Sequence, residues 1–164
     1  MTIFLKQLIK SISLLFFSLI LFSSQTFAGV TFVDSFSVLS QESKPATLAF
    51  NNDGTKMYVA GNVGNDVNEY TLSTAWDVST GSYSQNFSVN SQDGEPFGIA
   101  FNNDGTKMFI AGADGDDIHE YTLSTGFDVS TASYVDALDV SGQDSRPCGI
   151  RFNNDGTKLF MTGF

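Results

Sequence analysis

A chain of 164 residues with 18 acidic against 8 basic side chains carries a net charge of −10 at pH 7. That balance excludes nucleic acid and anionic lipid surfaces as partners, because both would repel it. The single cysteine, Cys148, excludes a disulfide framework.

The N-terminus reads as an export signal. Lys6 and Lys10 form a short basic stretch, and Ile12 to Phe22 is apolar apart from Ser13 and Ser18. The polar run Ser23-Ser24-Gln25-Thr26 then leads to Phe27-Ala28-Gly29. The apolar run of about a dozen residues is short of the roughly 20 that a membrane helix needs. Thr26 and Ala28 sit at the −3 and −1 positions of a cleavage site, so processing is expected between Ala28 and Gly29. An uncleaved anchor, with Phe4 and Leu5 extending the apolar run, is the alternative. Loss of residues 1–28 removes both N-terminal lysines and leaves a net charge of −12. The processed chain is expected to be secreted or periplasmic, with no stable membrane span.

After Gly29 the chain repeats itself. Phe50-Asn51-Asn52-Asp53-Gly54-Thr55-Lys56 recurs from Phe101 and from Phe152, 51 residues apart each time. Pro45, Pro96 and Pro147 keep the spacing, as do Tyr70 and Tyr121, and the pairs Trp76-Asp77 and Phe127-Asp128. A fixed period near 50 means one supersecondary unit copied, each copy needing neighbours to bury its faces. Within a unit every segment reads as strand. Gly98 to Phe101 follows Pro96 at a strand start, and Asn103-Asp104-Gly105 is a hairpin turn whose Gly supplies a positive φ. Lys107 to Ala111 is apolar on both faces, as a strand between two sheets should be. Ile118 to Leu123 and Tyr134 to Val140 complete four strands, with Phe127 in the turn between them. Four antiparallel strands per repeat of this length make a β-propeller blade, so the fold class is all-β.

The run Pro96-Phe97-Gly98-Ile99-Ala100-Phe101-Asn102-Asn103-Asp104-Gly105, then Met108 to Ala111, then Ile118 to Tyr121, resembles the YVTN and NHL families of β-propeller repeats. The resemblance spans Phe32 to Phe164 and implies architecture far more than activity, since such propellers host many functions. Glu69 and Glu120 stand where those families carry an apolar residue. The expected organisation is a signal at 1–28, a leading outer strand and loop at 29–44, blades at 45–95 and 96–146, and a partial blade at 147–164. Thr31 to Leu39 matches a fourth strand. Two and a half blades make an incomplete ring where roughly 4 to 8 are known. Further blades are expected from a longer chain, of which this is a truncated piece, or from oligomerisation.

Chemistry is sought where the repeats differ. The Asn-Asn-Asp-Gly-Thr-Lys hairpin is constant. Asn62 to Asp66 becomes Ala113 to Asp117, and Ser40 to Lys44 becomes Ser91 to Glu95 and then Gly142 to Arg146. In a propeller these variable loops share one face, so the ligand-face candidates are Asp93, Glu95, Asp114, Asp116, Asp117 and Asp144, with Arg151 on an innermost strand. Asp114, Asp116 and Asp117 offer oxygen ligands to Ca²⁺, although the spacing is too short for an EF-hand and a solvated acidic turn is the reading it favours. Glu69 and Glu120 need partners if buried, and Lys56 and Lys107 are available. His119, the only histidine, is expected to be a partly exposed strand residue, and Cys148 a packed small side chain. No Ser/His/Asp set, paired cysteines, phosphate-cradling glycine loop or zinc spacing is present, and no catalytic residue is assigned. The expectation is a non-catalytic binding or scaffolding module for a protein or glycan, with no cofactor beyond that possible Ca²⁺. A Ca²⁺-dependent hydrolase or lactonase, or a repeat module of a surface adhesin or fibre, is the alternative.

Overall fold

A computed structural model describes residues 32–164, so the export signal and its cleavage site lie outside the described residues. Among the described residues ten strands form three antiparallel sheets. The first is β1 (Pro45–Phe50), β2 (Lys56–Gly61), β3 (Asp66–Leu72) and β4 (Gly81–Ser88), side by side in that order. The second repeats it with β5 (Pro96–Phe101), β6 (Lys107–Gly112), β7 (Asp117–Leu123) and β8 (Ala132–Asp139). The third contains β9 (Pro147–Phe152) and β10 (Leu159–Gly163).

Each sheet opens with a proline because the first strand is an edge and needs no amide donor there. The turns between its first two strands place Gly54, Gly105 and Gly156 at φ near +70°. An Asp side chain two residues before each Thr accepts that Thr's amide and hydroxyl, as Asp104 does from Thr106. A one-residue shift of register between Glu69 and Tyr70, repeated between Glu120 and Tyr121, adds twist to the outer strands. One turn of 3-10 helix, Val78–Thr80 and again Val129–Thr131, precedes the outermost strand and is capped by Asp77 or Asp128.

The sheets stack through apolar faces. Tyr58, Ala60 and Val67 of the first pack against Ile99, Met108 and Ile110 of the second. Ala100, Ala111 and Ile118 of the second pack against Ile150 of the third. Small residues recur where the sheets approach most closely. A Cβ on Gly98 would collide with the carbonyl of Cys148 on the next innermost strand. Cys148 is half-buried and unpaired, its Sγ 3.4 Å from the carbonyl oxygen of Thr162.

The leading segment departs from the sequence expectation. Asp34 to Val38 is not in a strand, yet Phe36 and Val38 pack against the Met57, Val59, Tyr70 and Leu72 cluster of the first sheet. Phe36 packs edge-on against Tyr70 at 5.5 Å, as Phe87 packs against Tyr121 at 5.6 Å. Apolar side chains hold the segment in place without a ladder of backbone hydrogen bonds to a neighbour.

Candidate functional site

The turns that follow the second strand of each sheet, and the links between sheets, gather most of the expected ligand-face residues. The link after β4 closes in a turn on the Val89 carbonyl, which accepts the amides of Gln92 and Asp93. This aims the Asp93 side chain under the loop between β6 and β7. Its Oδ2 accepts the amides of Asp114 (3.2 Å) and Gly115 (2.9 Å), and its Oδ1 that of Glu95 (2.6 Å). Gly112 makes the room, since a Cβ there would meet the carboxylate. Burial pushes the Asp93 carboxyl up, but the nearby His119 imidazole and the amides of Gly115 and Glu95 outweigh it and hold the group below its ordinary 3.8.

Glu42 does the same in the preceding repeat. Its Oε2 accepts the amides of Val63 and Gly64, its Oε1 that of Lys44, and a Cβ on Gly61 would strike it. Asp144 continues the series by accepting the Arg146 amide at 2.8 Å, over Gly163. Glu42, Asp93 and Asp144 are therefore loop clips spaced a single repeat apart. The signal was in the sequence, in the joint recurrence of an acid at these positions and of Gly61, Gly112 and Gly163.

The remaining candidates divide. Asp114 is exposed; Asp116 and Asp117 are half-buried, Asp116 holds a left-handed φ of 56°, and its carbonyl accepts the Val140 amide. Among the described residues no group of three or more His, Cys, Asp or Glu side chains is arranged to hold a metal. Glu95 pairs with Arg146 at 3.1 Å, and that guanidinium lies over the rings of Phe97 and Phe164. Arg151 keeps different company. It lines a cleft of about 220 Å³ beside Asn52, Asn103, Asn154 and Phe152 of the constant hairpins.

His119 corrects an expectation. It is buried at 3% exposure, with Nε2 3.9 Å from Asp93 Oδ2 and neither ring nitrogen hydrogen-bonded. The reason lies across the sheet. In the first sheet Asn68 faces Asn86, whereas His119 faces Ala137, which leaves space for an imidazole beneath the link between sheets.

A second polar constellation joins the first two sheets. Lys56 Nζ reaches Glu69 Oε1 at 2.8 Å and donates to the Phe127 carbonyl at 2.7 Å, an acceptor shared with the Tyr58 hydroxyl at 2.7 Å. Glu69 Oε2 accepts from Gln85 Nε2 (3.0 Å) and from the Val129 amide (3.1 Å), and Gln85 also donates to Asp128 (2.7 Å). Four side chains of one sheet thus clamp the 3-10 turn of the next. Burial first, then the charges of Glu69 and Asp128, pushes the Tyr58 phenol far up, so it stays a hydrogen-bond donor. The equivalent Lys107 and Glu120 pair at 2.7 Å, but their side chains are 47% and 29% exposed because no turn lies against them.

No protein-family model and no curated protein matches this chain. Solved structures do. The β-propeller domain of Cps50 (Swd1) from Myceliophteria thermophila superposes over 73% of this chain at 14% identity and a TM-score of 0.52. The fold is a β-propeller. A functionally unknown protein from Desulfotomaculum acetoxidans superposes over 84% at 18% identity and a TM-score of 0.57. The periplasmic gluconolactonase of Pseudomonas aeruginosa superposes over 73% at 15% identity and a TM-score of 0.50. This chain spans 36%, 39% and 28% of those chains respectively, so the propeller here is incomplete.

Proposed function

We propose that this chain belongs to an exported, YVTN/NHL-type propeller that binds a partner through the face carrying Asp114, Asp116 and Asp117 and does not catalyse. One observation carries the reading. The buried carboxylates that would serve chemistry, Glu42, Asp93 and Glu69, are already engaged by backbone amides or by the inter-sheet clamp. A general acid or base needs a proton to exchange with substrate, and these groups face structural donors. On the loops that follow the second strands, Asp114 and Asp116 stand where the preceding repeat has Val63 and Asn65, the pattern expected when successive blades touch different regions of one partner. An acidic surface fits a basic protein patch or a neutral glycan. Among the described residues no helix is long and apolar enough to cross a membrane.

A lactonase-like activity is the second reading, favoured by the gluconolactonase among the structural neighbours. The discriminating experiment measures hydrolysis of gluconolactone and simple esters, with and without Ca²⁺, for the wild type and Asp116→Ala. No turnover and a melting temperature unmoved by Ca²⁺ or chelator is the expected result. Turnover that Asp116→Ala abolishes would replace binding by catalysis.

A further inference from the structure

The first two repeats treat one carboxylate in opposite ways. Asp66 opens β3, is 7% exposed, and is tied by two amide side chains, Asn68 at 2.6 Å and Asn86 from the neighbouring strand. Asp117 opens β7 at the same place, but His119 and Ala137 replace the two asparagines. Both amide donors are gone, and Asp117 is half-buried. The strand beside it changes as well. Asp66 faces Ser88, whereas Asp117 faces Asp139, and like charges directly opposite one another destabilise a sheet. The buried Asp93 crowds the same point: a Cβ on Gly115 would stand 3.1 Å from Asp117 Oδ2 and 3.5 Å from Asp93 Oδ2. Among the described residues the lysine and arginine ion pairs go to Glu69, Glu120 and Glu95, so no basic side chain neutralises these three acids.

His119 is a second, independent observation. Its side chain is 4% exposed, Nε2 lies 3.9 Å from Asp93 Oδ2, and neither ring nitrogen has a hydrogen-bond partner. A buried polar atom left unpaired is a cost that a bound group of matching chemistry removes. All these residues belong to the four-stranded second sheet and the link before it. His119 lies on the face turned toward the first sheet, where Ile110 opposite it and Tyr121 two residues on join the core. We propose that Asp117, Asp139 and His119 form a subsite for a protonated amine, the lysine side chain of a basic protein partner. The inference rests on the binding-face reading above and gives that face a ligand chemistry. An ammonium brings one positive charge and three donors. Asp117 has lost its amide partners, Asp139 spends Oδ1 on the Ser141 amide and keeps Oδ2, and the imidazole offers a third acceptor. Asp93 adds negative charge while staying bonded to its loop amides. A compact head on a flexible stem suits a recess beside a buried ring better than the planar fork of arginine. The first repeat is closed to such a ligand, because Asn68 and Asn86 already occupy Asp66.

The test is isothermal titration of the full chain with a pentalysine peptide, with its fully acetylated form, and with cadaverine as a free amine. Wild type is expected to bind pentalysine, to bind cadaverine more weakly, and to ignore the acetylated peptide. Asp117→Asn should weaken pentalysine binding about ten-fold or more, as loss of a hydrogen bond to a charged group does. The deciding variant combines His119→Asn with Ala137→Asn, which rebuilds the first repeat's hold on Asp117 without removing an acidic residue. It too should lose about ten-fold. Asp136→Asn removes an equal charge from the opposite face of the same sheet, opposite Glu120, and should change affinity by less than about two-fold. Circular dichroism confirms that each variant folds; if the double variant does not, the comparison of Asp117→Asn with Asp136→Asn decides alone. Equal losses in those two variants would reduce the effect to bulk charge and overturn the proposal. Full affinity in the folded double variant, or a wild type that ignores pentalysine, overturns it equally, and cadaverine binding as tight as pentalysine overturns the choice of a protein partner. None of these results touches the binding-face reading itself, which falls to the turnover experiment above.

Discussion

Gly105 shows how much a repeated residue can be constrained. Its φ of +70° disfavours any side chain, and a Cβ would also run into the ring of Phe127, which folds back over the turn. Gly105→Val should therefore cost more than about 1 kcal/mol in urea unfolding. Gly142, with ordinary φ and open space around it, should accept Ala within about 0.5 kcal/mol. Asp93 offers a pH-dependent counterpart. Its carboxyl lies below its ordinary 3.8 in the fold, so its contribution is complete above that value and is lost as pH falls through the lower, folded one. Asp93→Asn should flatten the acid limb of the stability profile below about pH 4 and leave its slope near neutrality unchanged. An acid limb as steep as wild type would show that the loop clip is not what titrates. The glycine turn was legible in the sequence because Asn-Asp-Gly encodes its own geometry. Asp93 was overlooked although its signal was present, because the recurrence that marks it, an acid at 42, 93 and 144 with a glycine at 61, 112 and 163, is set within links whose other residues vary. His119 escaped for a related reason: its burial depends on Ala137 across the sheet and on the link above, neither of which marks the histidine itself.

At the scale of strands, the recurrence of Glu69 with Glu120 and of Lys56 with Lys107 announced two ion pairs, and both form. What the sequence did not show is that they differ in kind. Glu69 is buried and its pair grips a neighbouring turn, whereas Lys107 and Glu120 meet largely in water. Lys56→Met leaves a buried carboxylate held only by Gln85 and the Val129 amide, and should cost about 3 kcal/mol. Lys107→Met removes a solvated pair and should cost less than about 1 kcal/mol. Chemical denaturation of the two variants under one set of conditions makes the comparison, and equal costs would mean that the clamp adds nothing to the pair. Strand order and turn chemistry were legible because period, proline starts and alternation are local signals. The clamp was not, because its acceptor, the Phe127 carbonyl, is a backbone atom 71 residues from Lys56.

For the molecule as a whole, stability should grade along the stack, because each sheet depends on neighbours to cover its faces. Ile99 and Leu48 occupy the same place in successive sheets, one covered and the other facing the open groove. Ile99→Ala empties a packed site between the first two sheets and should cost about 2–5 kcal/mol at every protein concentration. Leu48→Ala removes a side chain that water already touches, so in dilute solution its cost should stay within about 0.5 kcal/mol. The expected result is an Ile99→Ala penalty several-fold larger than that of Leu48→Ala. Chemical denaturation of both variants and wild type in dilute solution provides the measurement. A Leu48→Ala penalty as large as that of Ile99→Ala would mean that Leu48 is packed as Ile99 is, and the graded stack would be the wrong description.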